Sequence, residues 1–138
     1  MQVILKNLQN KAPIHPEKIK KLVFNVLKNE QVRKSGWINI CFVDNSQIKK
    51  FNAKFLKINK VTDVLAFNLA NKQDKKVILA DILVSAQEAL KQAAYFKNSY
   101  NHELSLYVVH GVLHILGYND HTVSQIKIMR KKESQYVY

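Results

Sequence analysis

The segment HGVLHILGYNDH, which begins at His110 and ends at His121, constrains this chain more than any other stretch. Its first histidine and His114 are four residues apart, which on a helix places both rings on one face, one turn from each other. A glycine directly after a helical run, here Gly117, usually ends the helix in a left-handed turn. Such a turn would bring Asp120 and His121 back toward the histidine pair. The segment therefore predicts a helix, a sharp turn and a cluster of donor side chains.

This pattern is typical of a zinc site. Zinc accepts imidazole nitrogen and carboxylate oxygen, and three protein ligands with an open fourth position are typical of a catalytic zinc. The alternative is a packing accident, because two histidines at this spacing also arise without a metal. A metalloprotease is disfavoured, since Gly111 stands where the H-E-x-x-H helix carries its general-base glutamate. The residues predict a Zn²⁺ ion held by His110, His114 and either Asp120 or His121.

The length of 138 residues and the apolar fraction of 47% predict one domain with one core, spanning residues 1–138. The amino terminus has too short an apolar run for a signal peptide, and no stretch approaches the ~20 apolar residues of a membrane span. The single cysteine, Cys41, has no disulfide partner and is expected to be a small buried core residue. We therefore expect a soluble cytoplasmic protein with no membrane partner.

The charge of the chain is strongly positive. It has 22 Lys and Arg against 10 Asp and Glu, a net charge of +12. A field of this sign attracts polyanions, chiefly nucleic acid. The competing explanation is a general bias of composition toward lysine, because no arginine-rich motif or known nucleic-acid-binding module is visible. The charge thus favours a nucleic-acid partner, and a compositional bias toward lysine remains the alternative explanation.

Hydrophobic periodicity and turn residues divide the chain into four strands and five helices. The predicted strands are residues 2–8, 37–43, 64–67 and 77–85, and the predicted helices are residues 16–29, 47–55, 86–96, 102–116 and 122–136. The short polar loop at residues 70–76 predicts that the last two strands form an antiparallel pair. This order predicts an α+β fold, a single domain in which a small mixed sheet of about four strands packs with about five helices.

Helical spacing also predicts which side chains face the core. The helix of the histidine motif is apolar almost all round, so it is expected at the centre of the domain. The side chains expected to point inward elsewhere are Ile48, Phe51 and Phe55 in the second helix, Ala89, Leu90 and Ala93 in the third, and Val123, Ile126 and Met129 in the last.

Three segments resemble the YbeY family, bacterial endoribonucleases of ribosomal RNA maturation. HGVLHILGYNDH resembles the family's metal signature H-G-x-L-H-x-x-G-Y-D-H. NAKFLKINKVTDVLAF, at residues 52–67, is similar to N-x-x-Y-R-x-x-D-x-P-T-D/N-V-L-S-F, and LADILVS, at residues 79–85, resembles L-G-D-I-x-I-S. The resemblance spans about residues 40–130. It implies an α+β fold, a zinc ion, and cleavage of single-stranded RNA at the 3′ end of small-subunit ribosomal RNA.

The chain departs from the family pattern at the third metal ligand. The family has a histidine three residues after the motif glycine, whereas this chain has Asp120 there and His121 one residue later. The ungapped match makes Asp120 the preferred ligand and His121 the alternative. Catalysis is then expected to depend on His114 as a metal ligand and on His121 as a proton acceptor. Asp63 and Asp81 are weaker candidates for that role, because they more simply cap or orient structure.

A second departure concerns RNA binding. Where the family has an arginine that is thought to hold or polarise the RNA phosphate, this chain has Leu56. The neighbouring Lys54, Lys57 and Lys60 would supply the positive charge, although not the bidentate fork of a guanidinium. These lysines are the predicted RNA-binding residues, and an ordinary solvated surface is the alternative.

The resemblance thus implies a zinc-dependent endoribonuclease acting in ribosomal RNA maturation and ribosome quality control, with ribosomal RNA and the small ribosomal subunit as partners. One alternative is a non-catalytic ribosome-assembly factor with a structural metal, which the missing arginine would suit. A less favoured alternative is another metal-dependent hydrolase. Cleavage of ribosomal RNA fragments separates the first two, and turnover of a peptide or an ester would favour the third.

Overall fold

Residues 1–137, the part of the chain that the computed structural model describes, form a four-stranded sheet and five helices. The predicted α+β fold is confirmed, and every observed end lies within two residues of the predicted one. Within residues 1–137 no helix is long and apolar enough to cross a membrane. In chain order the elements are β1 (Gln2–Asn7), α1 (Pro16–Asn29), β2 (Ser35–Val43), α2 (Asn45–Leu56), β3 (Val64–Asn68), β4 (Val77–Ser85), α3 (Ala86–Phe96), α4 (Tyr100–Ile115) and α5 (Val123–Tyr136).

The sheet is mixed, with the strand order β1-β2-β4-β3. β1 and β2 are parallel, as are β2 and β4, whereas β3 runs antiparallel to β4. Parallel strands need a long crossover connection, and α1 supplies the one between β1 and β2. A short loop is enough to reverse the chain from β3 into β4, so the predicted antiparallel pair is confirmed.

β4 reads as an almost continuous apolar run because both of its faces are covered. Its side chains on one face belong to the main core with α4, and those on the other belong to a smaller cluster with α2. The main-core side chains of this strand are Ile78, Ala80, Ile82 and Val84, and the smaller cluster contains Val43, Ile48, Leu65 and Leu83. The motif helix α4 packs on β3 and β4 and also contacts α1, α3 and α5, so it lies at the centre of the domain, as its all-round apolar sequence predicts.

Capping side chains fix where four of the helices begin. A backbone N–H three residues later donates to the side chain of Asp44, Ser85, Ser99 or Thr122. Such a bond satisfies a donor that the first turn leaves unpaired and contributes about 1 kcal/mol. Because Ser99 is the cap, α4 begins at Tyr100, two residues before the predicted start.

Some of the predicted inward-facing side chains are instead exposed, namely Phe55, Leu90, Val123 and Ile126. The largest error is in α5, where the buried residues are Met129, Glu133 and Tyr136. Spacing identifies residues that share a face, but the neighbouring helices decide which face is buried, and here they bury a stripe that contains a carboxylate. The prediction for Cys41 was also wrong, since this side chain is only partly buried, beside the smaller cluster.

Gly111 lets α4 approach the sheet closely. A Cβ atom at this position would lie 2.8 Å from Cγ2 of Ile82 and 3.1 Å from Cγ2 of Val64. Side chains in a close-packed interior cannot absorb such overlaps without moving. The residue at the position of the protease glutamate therefore has a packing role, because it lets α4 pack directly against β3 and β4.

Candidate metal centre

The two histidines of α4 meet as the helical spacing predicts. The Nε2 atoms of His110 and His114 are 2.9 Å apart, and the ring planes cross at 80° with their centroids 4.5 Å apart. Both side chains are mostly covered, with exposed fractions of 19% and 27%. One nitrogen of each ring therefore points into the same partly enclosed space.

Gly117 turns the chain back toward this pair, with a φ of +103°. The N–H of Gly117 donates to the carbonyl of His114, and the N–H of Tyr118 donates to the carbonyl of Leu113, each at 3.0 Å. These two bonds define a Schellman motif, which requires a left-handed residue and so favours glycine. The predicted glycine turn is confirmed, and its geometry sets the direction of the residues that follow.

Asp120 completes a triangle of donor atoms. Its Oδ2 lies 3.4 Å from Nε2 of His110 and 3.5 Å from Nε2 of His114. Ligand atoms around a tetrahedral zinc with bonds of about 2.0–2.1 Å are separated by about 3.3 Å. Within residues 1–137, these three side chains form the group of His, Cys, Asp and Glu residues whose donor atoms are close enough to share a metal ion. The residues thus fit a metal with three protein ligands.

His121 is not brought into this group. Its backbone N–H donates to Oε1 of Gln125 at 3.0 Å, and the residue is exposed at the start of α5. Gln125 also closes the capping box of α5 with Thr122. The start of α5 therefore fixes the backbone of His121 next to the donor triangle while Asp120 takes part in it.

Glu133, which the sequence analysis missed, holds one of the histidines. Its Oε2 lies 3.2 Å from Nδ1 of His110, and its side chain is only 4% exposed. A carboxylate can only accept, so Nδ1 of His110 carries the hydrogen and Nε2 is free to bind a metal. The available signal was the spacing of Met129, Glu133 and Tyr136, which puts this carboxylate in the middle of a buried stripe.

The carboxylates around His110 stabilise its protonated form. Burial lowers the pKa of His110, but the hydrogen bond and charge of Glu133, together with the charges of Asp63 and Asp120, outweigh it. The net result is a raised pKa. An imidazole in such a negative environment is a strong electron donor toward a cation, which replaces the proton when a metal binds.

A small cavity of about 130 Å³ opens beside these donors. It is lined by His110, Asp120, Ile126, Met129 and Arg130. A larger cavity of about 450 Å³ lies between α1 and the start of α4, but none of the three donor residues lines it. The chemistry of the side chains, rather than the volume of the cavity, therefore identifies the candidate site.

The other two carboxylates considered from the sequence have structural contacts. Asp63 accepts a hydrogen bond from the backbone N–H of Val64 at 2.8 Å, and Asp81 accepts one from Nδ2 of Asn39 on the neighbouring strand at 3.2 Å. Asp63 still influences the site, because its charge raises the pKa of His110. Neither belongs to the donor triangle.

The predicted RNA-binding lysines lie outside the triangle as well. Lys54 is in the last turn of α2, Lys57 follows the helix in a left-handed conformation, and Lys60 lies in the loop before β3. All three are exposed, and Nζ of Lys54 is 5.4 Å from the centroid of the exposed Phe55 ring. Leu56, at the position of the family's arginine, is 47% exposed.

Glu30 connects the turn of the motif to two distant helices. Its carboxylate accepts hydrogen bonds from the hydroxyls of Tyr118 and Tyr136 and lies 3.0 Å from Nζ of Lys132. Burial raises the pKa of Glu30, but these three donors together leave it below its ordinary value. The end of α1, the residue after Gly117 and α5 are thus joined at one buried carboxylate.

Comparison with known proteins agrees with the observed fold. The family profile described as Endoribonuclease YbeY matches residues 4–138. The solution structure of TM1509 from Thermotoga maritima superposes with a TM-score of 0.69 at 28% identity, covering 99% of this chain and 86% of that one.

Curated relatives are similar over nearly their whole length. Endoribonuclease YbeY of Clostridium beijerinckii is 37% identical over 95% of this chain and 92% of the relative. Endoribonuclease YbeY of Thermoanaerobacter sp. is 32% identical over 98% of this chain and 94% of the relative. Endoribonuclease YbeY of Desulforamulus reducens is 34% identical over 96% of this chain and 93% of the relative. The chain therefore belongs to the Endoribonuclease YbeY family.

Proposed function

We propose that this chain is a zinc-dependent, single-strand-specific endoribonuclease whose metal is held by His110, His114 and Asp120. The observation that carries the proposal is the triangle of donor atoms, with sides of 2.9, 3.4 and 3.5 Å. These separations suit a tetrahedral ion with one position left for water or substrate. Membership of an endoribonuclease family supports RNA as the substrate.

Zinc is the metal we propose, because two imidazoles and one carboxylate are a donor set that zinc accepts in catalytic sites. A zinc ion held here would supply a Lewis acid and a water with a pKa of about 7. Glu133 would hold the ring of His110 so that Nε2 faces the ion. The exposed His121, directly after Asp120, is the proposed proton acceptor.

The substrate we propose is ribosomal RNA, cut at the 3′ end of the small-subunit RNA during ribosome maturation and quality control in the cytoplasm. The small ribosomal subunit would be the partner. The resemblance of three separate segments to one family supports this proposal, as does the net charge of +12. The test is to incubate the zinc-loaded protein with an RNA fragment covering this 3′ end and with a fully paired duplex of the same sequence. Zinc-dependent cleavage of the single-stranded fragment alone is expected.

A non-catalytic ribosome-assembly factor with a structural metal is the second candidate. One observation favours it: a leucine, Leu56, takes the place of the family's arginine. In the same assay such a protein would bind the RNA and leave it intact. Binding without cleavage, in protein that carries its full metal, would establish this second function instead.

Replacing Asp120 and His121 in turn should separate their roles. Asp120→Ala is expected to lose zinc, because it removes one corner of the donor triangle. His121→Ala should retain zinc and lose RNA cleavage rate, by about 100-fold for a general base. Metal content by atomic absorption and single-turnover cleavage give the two readouts. Zinc loss in His121→Ala with zinc retained in Asp120→Ala would reverse the assignment.

Glu133→Gln should weaken zinc binding without removing it. The amide keeps the size of the side chain but takes away the charge that holds Nδ1 of His110. Carboxylates in this position typically change metal affinity by about 10- to 100-fold. Competition with a chromogenic chelator measures the change. The matched control is Glu88→Gln on α3, a half-buried carboxylate that accepts hydrogen bonds from Asn45 and Gln92; equal losses in both variants would contradict the role of Glu133.

RNA binding should depend steeply on salt, and the lysines near the end of α2 should carry part of that dependence. For single-stranded RNA, a plot of the logarithm of binding affinity against the logarithm of salt concentration falls with a slope of about 0.7 per phosphate contact. Replacing Lys54, Lys57 and Lys60 by Met should therefore reduce the slope by about 2. Fluorescence anisotropy with a labelled single-stranded RNA measures it.

The control for the lysine variant removes the same number of positive charges from a different loop. Lys72, Lys75 and Lys76 are exposed in the loop between β3 and β4, and their replacement by Met also removes three positive charges. If both triple variants change the slope equally, the lysines act only through overall charge and the site prediction for Lys54, Lys57 and Lys60 is wrong.

A further inference from the structure

Arg130 is one of only two arginines in a chain whose other basic residues are lysines. It lies on α5 and lines the small cavity together with His110 and Asp120. The second arginine, Arg33, lies in the segment between α1 and β2 and lines a different cavity. Of the two arginines, Arg130 is therefore the one whose guanidinium lies at the candidate metal centre.

The guanidinium of Arg130 remains available for a ligand. Its side chain is 71% exposed, and Nη1 lies 3.5 Å from Oε1 of Glu133, at the outer limit of a hydrogen bond. The other oxygen of Glu133 lies 3.2 Å from Nδ1 of His110. One carboxylate thus links the arginine to the histidine, and that contact leaves most of the five guanidinium N–H donors open.

The charges around this cavity indicate that an RNA phosphate would need a positively charged side chain there in addition to the metal. Asp120 and Glu133 bring two carboxylates to His110, and Asp63 adds a third negative charge nearby. The three carboxylates outweigh the +2 charge of a zinc ion, so a phosphodiester that approached the metal would still meet a net negative charge. Arg130 is the permanently charged cation among the residues that line this cavity. Its planar fork matches two phosphate oxygens, which a lysine cannot do.

We propose that Arg130 binds the phosphate of the RNA at the cleavage site and stabilises the negative charge that develops there. This inference rests on the proposed endoribonuclease function and adds a substrate-binding residue to it. It also gives this chain a guanidinium at the site although position 56 carries leucine. Arg130 contacts the substrate rather than the metal, so its loss should leave zinc bound.

The test compares Arg130→Ala, Arg130→Lys and Lys131→Ala in zinc-loaded protein. Lys131 is the exposed neighbour of Arg130, and its replacement removes the same charge one residue away. Arg130→Ala should lower kcat/KM for the single-stranded RNA by about 10- to 100-fold, as expected for a lost charge-assisted hydrogen-bonding pair. Arg130→Lys should recover only part of that loss, Lys131→Ala should resemble the unaltered protein, and all three should keep one zinc.

Two further readouts separate phosphate binding from a structural role. Inorganic phosphate, titrated calorimetrically into the zinc-loaded protein, should bind about tenfold more weakly to Arg130→Ala than to Lys131→Ala. Guanidinium ion, well below concentrations that unfold proteins, should restore part of the cleavage by Arg130→Ala and none of that by Glu133→Gln. A merely structural arginine would show neither effect.

Three results would overturn the role of Arg130: equal phosphate affinity in Arg130→Ala and Lys131→Ala, full activity of Arg130→Ala, or loss of zinc from that variant. Zinc loss would mean that Arg130 serves the metal through Glu133 instead. A wild-type protein that binds zinc but cleaves no RNA would refute the proposed function, and the phosphate titration would still decide whether Arg130 is the anion-binding residue.

Discussion

Replacing His110 or His114 with alanine is expected to remove the zinc and to reduce RNA cleavage to background. Each change deletes one corner of a triangle whose sides are all within 3.5 Å. Two remaining protein ligands do not hold a catalytic zinc, which normally has three. Because the metal supplies several kcal/mol of charge stabilisation, the loss of cleavage should exceed about 100-fold.

Metal content, cleavage and folding should be measured on the same preparations of these variants. His15→Ala is the matched control, since this exposed histidine precedes α1 and its side chain makes no capping hydrogen bond. Circular dichroism checks that α4 has formed. If His110→Ala retains full zinc occupancy, the proposed site is wrong. If it loses zinc and still cleaves RNA, the metal is not needed for cleavage, and both the zinc-dependent mechanism and the non-catalytic alternative are wrong.

Replacing Glu30 with glutamine is expected to lower the free energy of unfolding by about 2–4 kcal/mol at neutral pH. The buried carboxylate receives two tyrosine hydroxyls, and such hydrogen bonds to a charged group contribute about 1.5–3 kcal/mol each. The partly exposed ammonium of Lys132 adds a smaller amount. An amide keeps one acceptor oxygen but loses the charge, so part of this stabilisation should remain. Urea unfolding followed by circular dichroism measures the difference.

The stabilisation by Glu30 should depend on pH in a defined direction. Its pKa in the folded protein is lowered from an ordinary value of 4.5, which means that folding favours the charged form. The contribution is therefore complete above pH 4.5 and is lost as the pH falls through the lower folded pKa. The difference in stability between the unaltered protein and Glu30→Gln should be constant near neutrality and shrink in acid.

Lys132→Met provides the control for this prediction. It removes one donor to Glu30, with a side chain that is 30% exposed, and leaves both tyrosines in place. Its effect should be no more than about 1 kcal/mol, as for other partly exposed ion pairs. A destabilisation by Glu30→Gln that is no larger than this, or one that is unchanged in acid, would contradict the proposed role of the carboxylate charge.

The sequence alone determined the local features of the site. The i, i+4 spacing of His110 and His114 fixes their common face, and Gly117 fixes where the helix ends and the chain reverses. The helices and strands follow from periodicity and from capping residues such as Ser85, which is why their ends agree within two residues. These features depend on residues that are close in sequence, so they can be predicted without knowledge of the tertiary structure.

Only the tertiary structure placed Asp120, rather than His121, with the histidine pair. Both residues carry donors suitable for zinc, and they are adjacent in the chain, so spacing could not separate them. The Schellman turn directs the chain, and the capping of α5 through Gln125 fixes the backbone of His121. Which of the two residues lies beside the histidine pair therefore depends on how the end of α4 and the start of α5 are positioned relative to each other.

The tertiary structure also decided which residues support the site from a distance. Glu133 reaches His110 across 23 positions of the chain, and Glu30 reaches Tyr118 across 88. Helical periodicity groups the residues of one face but carries no information about the element that covers it. The buried stripe of α5 contains Glu133 rather than Val123 because α4 presents a histidine nitrogen there, and a buried carboxylate is stable only beside such a partner.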